Sequence, residues 1–308
     1  MRRESVILAI SVGRRILFFF VEPVWKTDIM GVIRKNRRAD MKREDTVVIM
    51  QDGKPRKVRV ALPEDYDESD RDYPVLFMFD GQNLFDEEDS FAGTVWGVDR
   101  ALDHLIRKGK AEPMIIVGID NKGEERLDEY GPWAFQVERY TSRGEGKDFA
   151  RYFVEHLIPE LERRYRLSCS PRDRYLAGSS MGGLITAFIG TRYRGVFSSL
   201  GIFSISSWVS EKEFLRMIKE EGDFSKTRFF LQVGTEEVRD EQSGKVDYAA
   251  SQKYIESTLD FIRSLAESGG RVSDMSIHIG AGKTHNEAAW SSYMPDFIQW
   301  LSGGEQEE

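Results

Sequence analysis

One cysteine, Cys169, stands in 308 residues, so no disulfide can form within the chain. Stability must come from packing, which fits a reducing compartment, and cytoplasmic residence is the expectation. Histidine is almost as scarce. Four histidines, scattered along the chain and joined by no second cysteine, offer no zinc-ligand spacing, so no metal is expected. The acidic run "DEEDS" at 86–90 lacks the glycine and twelve-residue spacing of a calcium loop and reads as a solvated charge run. No other cofactor is implied. Long apolar runs are also missing: "SVILAISV" and "ILFFFV" are separated by Gly13-Arg14-Arg15, and each is far too short to span a bilayer.

Basic charge is confined to one end. Residues 1–43 carry 11 Lys/Arg against 4 Asp/Glu, a balance of +7, and the remainder carries 33 against 48, or −15. An acidic body of that size repels phosphate, which argues against nucleic acid as a partner. Residues 1–45 read as a poorly structured basic extension, with Met30 or Met41 as alternative starts. The other reading is a secretory signal, since Arg2 and Arg3 precede an apolar run, although no clear small-residue cleavage site follows.

What is present is a regular alternation over 46–302. "TVVIMQ" and "KVRVALP" flank "DGKP" as an antiparallel hairpin. "YPVLFMFDG" and "PMIIVGIDN" are continuous apolar runs ending in turn residues, the pattern of strands buried on both faces. Further strands are expected in "DRYLAGS", "FSSLGIFS", "TRFFLQVG" and "DMSIHIG". Helices are expected in "VWGVDRALDHLIRKG", "GKDFARYFVEHLIPELERRY" (kinked or broken at Pro159), "MGGLITAFIGTRY", "DYAASQKYIESTLDFIRSLAES" and "NEAAWSSYMPDFIQWLS". Strands alternating with helices make a mostly parallel α/β sheet covered on both faces, and ligands bind such sheets beyond the carboxyl ends of the strands.

That rule selects the chemistry. Gly178-Ser179-Ser180-Met181-Gly182 fits G-x-S-x-G with Ser180 central, between an expected strand and an expected helix. A sharp strand-to-helix turn needs small residues two positions either side, and it sets the serine at a helix N-terminus that favours developing negative charge. A serine needs a base. His104 and His156 lie inside amphipathic helices upstream, and His278 lies within a strand. His285, in "GAGKTHNEAAW", follows the last strand through a Gly-containing loop and is the expected base. The orienting acid should follow "TRFFLQVG", where Glu236, Glu237, Asp240 and Glu241 all qualify by position. Two backbone N–H groups should bind an oxyanion: that of Met181, directly after the nucleophile, and that of Gln82 in "DGQNLFD".

Together "YPVLFMFDGQNLFD", "FAGTVWGVD", "IIVGIDN", "HLIPELERRYR", "YLAGSSMGGL", "VGTEE" and "THNEAAW" resemble the esterase family of α/β-hydrolases over about residues 46 to 301. That family includes feruloyl and acetyl-xylan esterases, S-formylglutathione hydrolase, siderophore esterases and mycolyltransferases. The resemblance implies an α/β-hydrolase fold and a serine ester hydrolase with Ser180 as nucleophile and His285 as base. The fourth residue of the "GTxD"-type turn is the family's acid, which falls on Glu237; glutamate serves in this role in the mycolyltransferase relatives. The second oxyanion donor falls on Gln82. "FSISSWVS" departs from the relatives' "SPSxW", which puts the pocket wall near Trp208 in question.

Asp80, Trp96, Trp133 and Trp208, with Phe135, are the expected pocket residues, aromatic surface suited to a phenolic acid or a sugar ring. Arg126, Arg139 and Arg143 are candidates for meeting an anionic siderophore. The expected partner is a small-molecule ester, of aryl, sugar or siderophore type, with no membrane partner and a homo-oligomer left open. Two rival functions share these residues: an acyltransferase that excludes water, and a binding module that has lost catalysis.

Overall fold

The computed structural model describes residues 6–12, 15–21, 41–240 and 242–303. Within the expected extension, β1 (Val6–Val12) and β2 (Arg15–Val21) pair antiparallel from Val6 opposite Val21 to Val12 opposite Arg15. The remainder of residues 1–40 lies outside the described residues.

The main sheet opens with the hairpin of β3 (Lys42–Ile49) and β4 (Pro55–Leu62), Thr46 opposite Val58. There follow β5 (Val75–Phe79), α1 (Val98–Arg107), β6 (Ile115–Ile119) and α2 (Arg126–Tyr130). A small hairpin of β7 (Phe135–Val137) and β8 (Tyr140–Ser142) leads into α3 (Gly146–Tyr152) and α4 (Ile158–Arg164). Then come β9 (Arg174–Ser179), α5 (Met181–Arg192), β10 (Ser199–Phe203), α6 (Glu211–Glu221) and β11 (Arg228–Gly234). The chain closes with α7 (Tyr248–Glu267), β12 (Met275–Gly280), α8 (Glu287–Ser291) and α9 (Met294–Ser302).

The eight strands lie in the order β12-β11-β10-β9-β5-β6-β4-β3, parallel from β12 to β6 and antiparallel only at the β4 and β3 end. Every residue of "VLFMF" in β5 is buried, as expected of a strand covered on both faces. Phe77 and Phe79 join one apolar layer, with Phe149 and Phe153. Leu76 and Met78 join the other, with Leu102 of α1 and Phe297 of α9. The chain leaves β5 for β6 on one side and returns to β9 on the other. The crevice beyond the ends of β5 and β9 is therefore the topological switch point where ligands bind such sheets.

Two helix expectations are corrected. The charged stretch "EKEFLRMIKEE", where no helix is expected, forms α6 and buries Phe214, Met217 and Ile218 on one face. The expected closing helix is two, because Pro295 near the start of α9 cannot donate an N–H to a continuous ladder from α8. Where a kink or break is expected at Pro159, a π-turn over Phe153–Leu157 separates α3 from α4, and the proline sits in the first turn of α4, where a missing N–H is tolerated. No helix among the described residues is long and apolar enough to cross a membrane.

Candidate active site

Ser180 joins β9 to α5 with φ 58° and ψ −124°, a conformation that a residue bearing a side chain rarely adopts. Its N–H donates to the carbonyl of Phe203 (2.9 Å) and its carbonyl accepts from the N–H of Ser206 (3.2 Å), so the neighbouring strand end holds the strained turn. The flanking glycines are required by close approach. A Cβ on Gly178 would come within 2.5 Å of the Gly182 carbonyl oxygen, and one on Gly182 within 3.0 Å of an Asp80 carboxylate oxygen. Met181 is the first residue of α5, where N–H groups have no partner within the helix.

Gln82 is the middle of the turn Gly81–Asn83 after β5. The turn's own bonds run from Asn83 to Asp80 and from Leu84 to Gly81, leaving the Gln82 N–H out of them. Asp80 is buried, with φ 56°, and its carboxylate is fully engaged. Arg126 donates to it through Nε (2.6 Å) and Nη2 (2.8 Å), and Asn121 through Nδ2 (2.7 Å). Burial works against the Arg126 charge, but Asp80 outweighs it and holds the guanidinium pKa above its usual value. α2, which carries Arg126, is itself pinned to β4 by a buried two-pronged pair between Arg56 and Glu129.

His285 lies in the loop after β12, and its Nδ1 meets Oε2 of Glu237 at 2.6 Å. Glu237 is buried, and its Oε1 accepts from Ser204 Oγ (2.7 Å) and from the Gly234 N–H (2.5 Å). Ser204 Oγ in turn accepts from Trp290 Nε1 (2.9 Å), so the acid's second oxygen is fixed by a chain of donors. The loops after β11 and β12 are laced by backbone bonds: Thr235 N–H to Gly280 O, Glu236 N–H to Lys283 O, and His285 N–H to Glu237 O. Of the other acid candidates, Glu236 is ion-paired to Arg239 and Asp240 caps its own turn at Ser243. Glu241 lies outside the described residues.

The Ser180 hydroxyl is 3.1 Å from that of Ser206, and among the described residues no bond joins it to His285, whose Nε2 is unpartnered. Such gaps are common in ligand-free sites and close when substrate binds. Tyr254 packs beside the base: its ring lies 4.8 Å from that of His285, and burial, with the Glu237 charge adding to it, pushes its pKa up to about 12 against an opposing hydrogen bond with Ser206. Ser204, Ser206 and Tyr254 carry no sequence signal of a role here; "FSISSWVS" stands out only for its missing proline.

The expected aromatic wall needs correction. Trp96 is 2% exposed, stacked on Trp290 and edge-on to Phe203, so it is core and cannot touch a ligand. Phe135 is likewise buried in the core. Trp133 packs edge-on to Phe188 and lines a separate cleft of about 420 Å³ between α3, α5 and α6. Phe188 is eight residues along α5 from Ser180, about 12 Å at helical rise. Trp208 alone of the four aromatics lies near the site, edge-on to Tyr254 and Tyr140. Arg139 sits over the Tyr140 ring, and Arg143 pairs with Glu125, Asp128 and Glu145. The other histidines stay away: His104 is exposed on α1, His156 stacks on Tyr152, and His278 stacks on Phe230. The described residues contain no cluster of His, Cys, Asp and Glu able to hold a metal ion.

Residues 50–300 match the family described as "Putative esterase". A curated relative, the uncharacterized protein YbbA of Bacillus subtilis, is 25% identical over 254 residues, covering 80% of this chain and 93% of its own. Among solved structures, a ferulic acid esterase superposes with TM-score 0.66 at 17% identity, covering 86% of this chain and 99% of its own. An IroE-like serine hydrolase from Shewanella oneidensis superposes with TM-score 0.67 at 21% identity, covering 85% and 80%.

Proposed function

Since the chain belongs to the esterase family of α/β-hydrolases and is a carboxylic ester hydrolase, we propose that it works through an acyl-enzyme on Ser180. The observation that carries this reading is the buried Glu237–His285 bond, which leaves Nε2 of His285 as its only open nitrogen. With Glu237 accepting from Nδ1–H, the lone pair lies on Nε2, the tautomer a general base requires.

Ser180 Oγ attacks the ester carbonyl as His285 Nε2 takes the hydroxyl proton. The carbonyl electrons move onto oxygen, where the N–H groups of Met181 and Gln82 meet the charge. Collapse expels the alcohol, protonated from Nε2, and leaves the acyl group on Ser180. Water then attacks, giving its proton to Nε2; collapse frees the acid and restores the serine. Glu237 stays ionised throughout and stabilises the imidazolium. Trp208, Tyr140 and Tyr254 beside Ser206 support an ester bearing a flat ring.

Ser180→Ala tests this directly. It should abolish hydrolysis of chromogenic acyl esters and labelling by a fluorophosphonate while leaving thermal unfolding unchanged, since only the nucleophile forms the covalent intermediate. Labelling that persists at Ser179 would overturn the assignment.

A further inference from the structure

Glu237 holds His285 from one side, and a second buried carboxylate lies close to the same loop. Glu287, the first residue of α8, is two residues beyond His285. Its side chain is buried and accepts a hydrogen bond at Oε1 from Nδ2 of Asn83 (2.9 Å), a partner 204 residues away. Asn83 follows Gln82 in the turn after β5 and is itself buried. We infer that Glu287 is a positioning residue: its bond to Asn83 fixes the distance between the turn that presents the Gln82 N–H and the loop that presents His285.

Every polar group of Asn83 is committed. Its Oδ1 accepts from the N–H of Phe91 (3.0 Å), its backbone N–H donates to Asp80, and its carbonyl accepts from Trp96. Asn83 thus fixes the oxyanion turn to β5 and to the following loop, beside the further tie from the Gly97 N–H to the Leu84 carbonyl. Its remaining group, the side-chain NH2, is the one that reaches across to the histidine loop. A buried NH2 left without an acceptor is costly, and a carboxylate is the strongest acceptor available for it.

Helix propensity alone does not account for Glu287 in that place. A glutamate in a helix's first turn gains from the dipole while exposed to water and has no need of burial. Here it is buried; burial and the charge of Asp80 raise its pKa, while a hydrogen bond from its own N–H and the charges of His285 and Arg126 oppose them. Two peptide units separate it from His285, so a shift of the Glu287 side chain is passed to the imidazole. Displacements of about 1 Å between reacting groups cost on the order of a hundredfold in rate.

The inference rests on the reading of Ser180 and His285 given above, and its test inverts the polarity of the pair. Asn83→Asp keeps an oxygen for the Phe91 N–H but sets two carboxylates face to face. Glu287→Gln keeps an oxygen for Asn83 and gives an NH2 to the opposite partner. Asn83→Asp should lower kcat by roughly tenfold or more with KM changed about twofold at most, and Glu287→Gln alone should stay within about threefold of wild type. The double variant should recover to within about threefold of Glu287→Gln, because the amide introduced on α8 can now donate to the carboxylate introduced in the turn. A double variant as slow as Asn83→Asp would overturn the inference.

Should Asn83→Asp fail to fold in thermal unfolding, Glu287→Ala serves in its place. It should lose roughly tenfold in kcat where Glu287→Gln does not, and equal rates for the two would overturn the inference. A wild-type protein unable to hydrolyse any ester would overturn the esterase reading and this inference together. A normal wild type with no recovery in the double variant would overturn this inference alone.

Discussion

The hydroxyl of Ser180 is 3.1 Å from the hydroxyl of Ser206, and the N–H of Ser206 donates to the carbonyl of Ser180. The nucleophile thus rests against β10's end rather than against its base, and must turn away from Ser206 to meet Nε2 of His285.

Ser206→Ala should therefore free Ser180 rather than disable it. A neutral hydrogen bond is worth about 1 kcal/mol net, so fluorophosphonate labelling should proceed at the wild-type rate or up to roughly tenfold faster. Labelling time courses at several probe concentrations would measure this. A loss of labelling as deep as that of Ser180→Ala would mean that Ser206 relays the proton.

Glu237→Gln should lower kcat by roughly 10²–10⁴-fold with little change in KM, since a triad carboxylate acts mainly on the transition state. Glu236→Gln should be nearly silent, because its carboxylate is occupied by Arg239 on the half-exposed side of the turn. Steady-state kinetics of the two variants on one ester decide between the neighbours. Equal small effects would leave a Ser180–His285 dyad as the working machinery.

His278 makes a prediction about pH and stability. It stacks on Phe230, with ring centroids 4.5 Å apart, and burial lowers its pKa, with Asp296 opposing. A depressed pKa means that the unfolded chain takes up a proton more readily than the folded one. Its contribution to stability is complete above the unfolded value of about 6.5 and is lost as pH falls towards the folded pKa. Denaturant unfolding between pH 7.5 and 5 should show the wild type weakening, and His278→Phe should weaken less over that interval. Parallel slopes for the two proteins would assign the acid sensitivity to other groups.

The features legible in the sequence are those that sterics write locally. Gly178 and Gly182 are spaced as they are because a Cβ at either would strike backbone or carboxylate, so the turn around Ser180 announces itself in five residues. His285 stands out by elimination among four histidines and by its place after a strand. Contacts across the chain leave no such mark. Trp96 and Trp208 look alike in sequence, yet one is sealed between Phe203 and Trp290 while the other borders Tyr254. Asn83 and Glu287 each read as ordinary loop or helix-start polar residues, and only the fold brings them to 2.9 Å. The "GTEE" turn shows two adjacent glutamates; which one points inward is decided by the Gly234 N–H and Ser204 Oγ waiting on that side.

The lacing between the turn after β11 and the loop after β12 bears on how the site can move. Glu237 and His285 are joined twice, side chain to side chain and N–H to carbonyl, and Thr235 and Glu236 add two more ties to the same loop. Acid and base therefore travel as a single rigid jaw, and breathing at that end of the sheet leaves their mutual geometry intact. The Asn83–Glu287 bond ties this jaw to the turn after β5 as well, so what is left to move is the Ser180 hydroxyl. Swinging it from Ser206 towards His285 as a substrate enters would switch on attack without any rearrangement inside the acid–base pair itself.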